Sequence, residues 1–347
     1  MYEIQTLLRQ AVSAGASDIF LTVGMPPTFK EDNRFFPAGE EKLGVEDCHR
    51  LIGSLFDNED TLAQFMRRKS SDFSLAVSKV GRFRVSAFFQ RGSMAATIRV
   101  VRMQLPDPVA LGIPQGVLDA YRCRSGLVLV TGPSGSGKST TLACILNLIN
   151  ENREGHILTV EDPIEYLHPH KHCIVNQREV HTDCASYADA LRTSLRQAPD
   201  VIFIGEMRDL ETISAAMTAA ETGHFVLSTL HTRGAANSVD RIVDVFPPAQ
   251  QQQIRVQLAA VLQMVVSQQL VPTVDGRLTG AFEIMRVNRA IRNLIREGKT
   301  HQIQMMIQAG SAEGMQTMNA CLEAMCRRGV ITQETMGTAR YESETAI

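Results

Sequence analysis

The stretch LVLVTGPSGSGKST, Leu127 to Thr140, decides how this chain is read. Its first five residues are apolar apart from Thr131, too few for a helix, and are predicted as a buried strand. The rest, Gly132 through Thr140, matches G-x-x-x-x-G-K-[ST]. Glycines at these positions let successive backbone N–H groups turn inward onto a phosphate. A helix opening near Lys138 adds the partial positive charge of its N-terminus. Lys138 would reach the β- and γ-phosphates and the Ser139 hydroxyl would ligate Mg²⁺. Gly132, Ser134, Gly135, Ser136, Gly137, Lys138, Ser139 and Thr140 are therefore the candidate nucleotide-binding residues, with ATP and Mg²⁺ as the implied cofactors.

Downstream, further short apolar runs alternate with helical stretches: HILTV, VIFIG and FVLST. That alternation predicts an α/β unit with a parallel sheet buried on both faces. Between Ile254 and Leu270, apolar residues at Ile254, Leu258, Val261, Leu262 and Val265 predict a helix face. The last 50 or so residues read as helical and Met-rich, apart from a polar, acidic tail.

Upstream, Gln104 to Gly116 (QLPDPVALGIPQG) holds three prolines and two glycines, which break helix and sheet and mark a boundary. Before it lies a small mixed α+β domain. Asp18–Val23, Phe83–Phe89 and Ala96–Val101 read as strands, with turn signals at Pro26-Pro27 and Asp32-Asn33. Ile4, Leu7, Leu8 and Ala11 mark an amphipathic helix that Gly15 can end.

Composition narrows the function classes. Lys and Arg total 35 against 37 Asp and Glu, a formal net charge of −2, where a dedicated duplex-DNA binder is more often basic. There is no Trp and only 5% aromatic residues, which disfavours base-stacking platforms. The seven cysteines have no Cys-x-x-Cys spacing, so a disulfide framework or zinc ribbon is disfavoured and reduced thiols in a cytosolic protein are expected. The N-terminus is too polar for a signal peptide, and no run reaches the roughly 18 apolar residues of a membrane span.

An NTPase also needs groups to hold Mg²⁺ and to position or deprotonate water. Val201–Glu206 is an apolar strand ending in a carboxylate, a Walker B pattern in which Gly205 stands where many such enzymes carry Asp. Glu206 would act on Mg²⁺ or on its water. Glu161-Asp162-Pro163-Ile164-Glu165 follows another strand, with Pro163 turning the chain just past it. His224 and His231 flank the strand Phe225–Leu230, either as structural groups or as γ-phosphate sensors. The HPHKHC segment, Leu167-flanked and running from His168 to Cys173, imitates a metal site but lacks a second ligand pair at zinc spacing.

Four blocks now stand in order: GPSGSGKST, EDPIE, VIFIGEMRD and GHFVLSTLHT. Together they resemble the Walker A, Asp box, Walker B and His box of the secretion ATPase superfamily that powers type II secretion and type IV pili. AIRNLIREGK, Ala290 to Lys299, resembles the signature of its PilT-type, pilus-retraction branch. The resemblance implies a PAS-like N-terminal domain over residues 1–103, a Pro-rich linker over 104–116 and a RecA-like ATPase domain with C-terminal helices over 117–347. It implies a homo-hexameric ATPase at the cytoplasmic, inner face of the cell membrane, acting on an inner-membrane pilus platform protein and allowing a second retraction ATPase beside it. Direct nucleic-acid contact is not implied, and membrane association would be peripheral only.

Residue by residue, the resemblance makes Glu165 the water-activating group and sets Glu206 at the metal. It puts His224 and His231 at the nucleotide pocket and brings Arg82, Arg84 and Arg99 toward the phosphates. Arg82 and Arg84 share a strand face, because side chains repeat every second residue. Alternatively, that face is a solvated strand edge whose charge blocks pairing. Gln197 is a PilU-like feature, and an accessory ATPase, an adaptor ring, an assembly motor or a DNA translocase are the rival readings.

Overall fold

The computed structural model describes residues 2–31, 34–101 and 105–341. The chain divides into two compact units. The first holds residues 1–104 together with Pro163–Leu167; the second holds Leu105–Asp162 and His168–Ile347.

The first unit begins with α1 (Ile4–Ser13), followed by β1 (Asp18–Leu21), β2 (Thr28–Glu31), β3 (Arg34–Pro37), α2 (Val45–Gly53), α3 (Glu59–Arg68), β4 (Ser70–Val77), β5 (Gly81–Gln90) and β6 (Ser93–Val100). Its strands form an antiparallel sheet in the order β3-β2-β1-β6-β5-β4. As the spacing predicts, α1 buries Leu7, Leu8 and Ala11. They pack with Leu51, Ile52, Phe83, Val85 and Ile98 in one core. Helix α1 ends at Ala14, and Gly15 takes the positive φ that turns the chain into β1. The Asp32-Asn33 turn signal, Gln104 at the head of the linker and the tail beyond Tyr341 lie outside the described residues.

The second unit contains α4 (Gln115–Leu118), β7 (Gly126–Thr131), α5 (Lys138–Asn152), β8 (Gly155–Glu161), β9 (Cys173–Glu179), α6 (Tyr187–Ser194), β10 (Val201–Ile204), α7 (Leu210–Glu221) and β11 (Phe225–Leu230). It continues through α8 (Ala235–Asp244), α9 (Pro248–Val261), β12 (Leu262–Pro272), β13 (Leu278–Arg286), α10 (Arg289–Glu297), α11 (Ile303–Ala309), α12 (Met318–Arg327) and α13 (Gln333–Ala339). The sheet order is β13-β12-β7-β11-β10-β8-β9, parallel throughout except for the β12–β13 hairpin. Strands β7, β10 and β11 are buried along their whole length, as expected for a sheet covered on both faces. From Leu105 onward the Pro-rich segment packs into this unit. Ile113, Val117 and Leu118 join its core, and the Cys144 thiol points its proton at the Pro106 carbonyl, 3.5 Å away.

The helix expected across Ile254–Leu270 is corrected. Helix α9 stops at Val261, and Leu262 takes extended angles that open β12. Ile254, Leu258, Ala259 and Val261 are the helix's buried residues, whereas Leu262 and Val265 are buried in the sheet between β7 and β13. A continuously apolar stretch does not reveal by period where a buried helix hands over to a buried strand.

One buried carboxylate ties the hairpin to the helices around it. Glu283 on β13 is fully buried. Its Oε1 accepts the backbone N–H of Ala235 at the start of α8, 2.8 Å away. Its Oε2 accepts from Met318 N at the start of α12 (3.3 Å) and from Gln304 Nε2 on α11 (3.2 Å). The first backbone N–H groups of two helices thus donate to this one side chain. Glu283→Ala should leave two buried N–H groups unsatisfied and cost about 2–4 kcal/mol. A thermal melt should then show the second unit unfolding roughly 5–15 °C lower; an unchanged melt would remove Glu283 as a structural anchor.

Candidate functional site

The parallel order brings the C-terminal ends of β7, β11, β10 and β8 to one edge of the sheet, where open α/β sheets bind ligands. At that edge the chain leaves β7 at Thr131, turns through residues 132–137 and enters α5 at Lys138. Gly132, Gly135 and Gly137 all have positive φ, 144°, 76° and 86°. A Cβ on Gly132 would lie 2.1 Å from the Gln268 carbonyl oxygen, so only glycine fits there. Lys138 folds back over the loop and its Nζ donates to the carbonyls of Gly132 (2.9 Å) and Pro133 (3.0 Å). The Ser136 hydroxyl is buried in the loop without a hydrogen-bond partner, although buried polar groups are normally paired. The loop therefore presents an unsatisfied hydroxyl, a lysine and the N-terminus of a 15-residue helix to one place.

The next strands along add charge. Glu206, just past β10, is mostly buried, with its side chain 14% exposed. Its Oε2 faces the Arg208 guanidinium Nε at 2.7 Å and His231 Nε2 at 3.2 Å. On the other side of the ring, His231 Nδ1 lies 3.4 Å from the Ser134 hydroxyl of the loop. His231 thus joins the phosphate loop to Glu206 across two neighbouring strand ends. The turn that holds Glu206 is fastened on both sides. Gly205 N donates to Val160 O (2.8 Å), and the Thr229 hydroxyl donates to Gly205 O (2.6 Å).

Gly205 has a structural cause. A Cβ there would sit 2.9 Å from the Tyr187 hydroxyl and 3.4 Å from Glu161 Cα, so an aspartate at this position would have to displace the Tyr187 side chain. Burial, with the carboxylates of Glu206, Asp162 and Glu161 nearby, pushes the Tyr187 hydroxyl up and keeps it protonated. Glu161 itself ends β8 buried, with Oε1 accepting from the Thr159 hydroxyl (2.6 Å) and Gln177 Nε2 (3.1 Å). The sequence presents Glu161 only as the first acid of a turn. Its burial depends on Gln177 from β9, which no local pattern announces.

Glu165 is exposed and belongs to the short segment grouped with the first unit. Arg82, Arg84 and Arg99 also lie on the first unit. Arg84 and Arg99 are cross-strand neighbours, and Arg99 Nε pairs with Asp18 at 2.9 Å. Arg82 and Arg84 flank the buried Phe83 in β5, Arg82 half-buried and Arg84 exposed.

His224 is not brought to the phosphate loop of its own chain. It precedes β11 while His231 follows it, and at about 3.3 Å per residue the strand separates the two by about 20 Å. At the far edge of the sheet His224 Nδ1 meets the Ala219 carbonyl at 3.0 Å and the Thr222 hydroxyl at 3.1 Å. The two histidines of this motif therefore lie at opposite ends of β11, and only His231 meets the phosphate loop of its own chain.

The HPHKHC segment is held by ordinary hydrogen bonds. His168 N donates to Gln177 Oε1, His170 Nδ1 accepts from Val175 N, and the Cys173 thiol points at the Arg153 carbonyl. Burial pushes the His168 imidazole down to about 4 from an ordinary 6.5, so the folded chain resists a proton that the unfolded chain accepts. Stability should therefore be complete above about pH 6.5 and fall as pH drops toward 4. Melts at pH 7 and pH 5 should show a smaller acid loss for His168→Gln than for wild type. Equal losses would mean that another group sets the acid sensitivity.

Residues 2–333 match the family model described as Type II/IV secretion system protein. The Pseudomonas aeruginosa type IV pilus retraction ATPase PilT is 44% identical over 332 residues, covering 96% of each chain. The type IV pilus ATPase PilU of the same organism is 38% identical, covering 96% of this chain and 87% of that protein. The crystal structure of the pilus retraction motor PilT with bound ADP superimposes with a TM-score of 0.90 at 45% identity, covering 99% of this chain and 98% of that one. The chain belongs to the Type II/IV secretion system protein family. Within it, the chain is of the PilT type. Among the described residues, no helix is long and apolar enough to cross a membrane.

Proposed function

We propose that this chain is an ATP-hydrolysing motor that drives type IV pilus retraction. The observation that carries the reading is the linked set at the sheet edge: the glycine loop with Lys138, then Ser134, His231 and Glu206 in hydrogen-bonding sequence. Relatives of the same length that are named for pilus retraction supply the direction of the motor.

The pocket fits a nucleotide on chemical grounds. The orphaned Ser136 hydroxyl and the N–H groups of the loop are donors for phosphate oxygens. Lys138, which rests on the Gly132 and Pro133 carbonyls, would exchange them for the β- and γ-phosphates. The residues also fit Mg²⁺: the Ser139 hydroxyl with Glu206 would hold it, since this ion needs only one or two protein oxygens beside phosphates and water. Bound there, it neutralises charge that develops on the transferred phosphoryl group.

In this reading Glu206 fixes the attacking water or the metal. His231 senses whether the γ-phosphate is present, because its ring already touches both the loop and Glu206. Tyr187 keeps bulk out from beneath Gly205. The assembly is a homo-hexameric ring at the cytoplasmic face of the inner membrane, working on a pilus platform protein. By the family resemblance, Glu165 would activate water and Arg82, Arg84 and Arg99 would stabilise phosphoryl charge. His224, far from its own loop, would serve only a neighbouring subunit's nucleotide.

Lys138→Ala should abolish ATP hydrolysis by the purified chain. Glu206→Gln should lower turnover by about 10²-fold or more while ADP still binds, as expected for loss of a water- or metal-holding group. In cells lacking the gene, labelled pili should extend and fail to retract. Wild type should restore retraction and Lys138→Ala should not. Bald cells would replace the reading with an assembly motor, and unchanged pilus dynamics would leave only an accessory role.

Helix α10 should matter for motion more than for hydrolysis. Ile291 and Ile295 are buried beneath it. Arg292 holds the end of α9 through the Ala259 and Ala260 carbonyls. Leu294, partly buried, should tolerate Leu294→Ala with ATPase within a few-fold of wild type and retraction lost. Equal loss of both would indicate misfolding.

A further inference from the structure

Strand β12 passes beneath the phosphate loop, and a single residue on it meets the loop at both ends. Gln268 is buried, 3% exposed, in the strand next to β7. The register pairs Ser267 with Thr131, so Gln268 lies opposite the first residue of the loop. Its carbonyl oxygen occupies the place that a Gly132 side chain would need, 2.1 Å from the Cβ position. Its side-chain amide nitrogen does the same to Gly137, at 2.8 Å. The amide oxygen accepts from the Thr141 hydroxyl at 2.7 Å in a buried hydrogen bond that spans 127 residues of sequence. Thr141 belongs to the first turn of α5 and its own N–H bonds Gly137 O at 3.0 Å.

These contacts fix three things relative to one another: the first glycine of the loop, its last glycine and the opening turn of the helix. The donors that would meet phosphate belong to that segment. A loop of small residues has many backbone states, and ordering it costs about 1–2 kcal/mol per residue. A contact that restricts the empty loop removes part of that cost from ligand binding. A glutamine suits the place because one flat amide offers an acceptor to Thr141 and a short polar edge against a glycine.

We propose that Gln268 is a positioning residue for nucleotide binding, holding the phosphate loop in its ligand-ready shape through Thr141 and the two flanking glycines. The inference rests on the nucleotide reading above and deepens it. Gln268 touches no substrate; it acts through the loop.

The test measures binding of a fluorescent ADP analogue to the full chain, with thermal melts alongside. Gln268→Leu should weaken binding about 5- to 10-fold, the loss of one buried hydrogen bond. Thr141→Val, which removes the donor and keeps the shape, should give a similar loss. The double variant should bind no more weakly than the worse single one, because both substitutions break the same link. A folded Gln268→Leu chain with wild-type affinity would overturn the proposal, as would losses that simply add, or melts that fall while affinity holds. If Gln268→Leu does not fold, Thr141→Val tests the same bond alone, and wild-type affinity there would equally overturn it. A wild-type chain that binds no ADP analogue would overturn the nucleotide reading and this proposal together.

Discussion

The site depends on one close approach between two backbones. Where β7 ends, Gly132 lies so near the β12 backbone that no side chain could stand between them. That approach exists because β12 pairs directly with β7, parallel and in register through Ser267 and Thr131. The turn must then leave the sheet immediately, and the glycines give it the positive φ values to do so. Sheet order, loop shape and helix direction are thus a single constraint, and the phosphate-facing geometry follows from it.

Charge is arranged around that constraint by strand order. Because β11 lies between β7 and β10, a residue just past β11 can touch groups just past both neighbours. His231 occupies that position, between Ser134 and Glu206. The same parallel arrangement puts His224 at the opposite edge, beside the C-terminal turn of α7. Two histidines seven positions apart in one motif therefore face different surroundings. The β12–β13 hairpin is two-sided in a similar way. Gln268 faces the loop, while Ser267 accepts the N–H of Gly234 and Glu283 accepts that of Ala235, both just beyond His231.

Much of this was legible in the sequence where the signal is local. The apolar run at Leu127–Val130, the glycine spacing from Gly132 to Gly137 and the apolar runs ending at Ile204 and Leu230 each carry their meaning within a few residues. So does α1, whose buried face of Leu7, Leu8 and Ala11 repeats at helical period. The parts that escaped are those fixed by distant partners. Glu161 looks like any turn acid until Gln177 from the next strand caps it. Gln268 sits in a polar patch, SQQ, that gives no hint of Thr141 far upstream. The helix-to-strand change at Val261–Leu262 was hidden because both elements are apolar on the buried side. Gly205 was visible as a departure from the usual aspartate, but its cause, the Tyr187 hydroxyl, appears only in three dimensions.

The cysteines have a practical meaning of their own. All seven are free, and four of them are buried. Burial pushes the thiols of Cys48, Cys123, Cys144, Cys173, Cys184 and Cys321 up, with Cys144 reaching about 11. Thiol-directed reagents need the thiolate and access to it, so these six thiols are poor targets for maleimide dyes, which leaves the half-buried Cys326 as the native thiol to remove. With Cys326 replaced by serine, one cysteine introduced at an exposed position such as Val109, 82% accessible, would give a label whose signal comes mainly from one site.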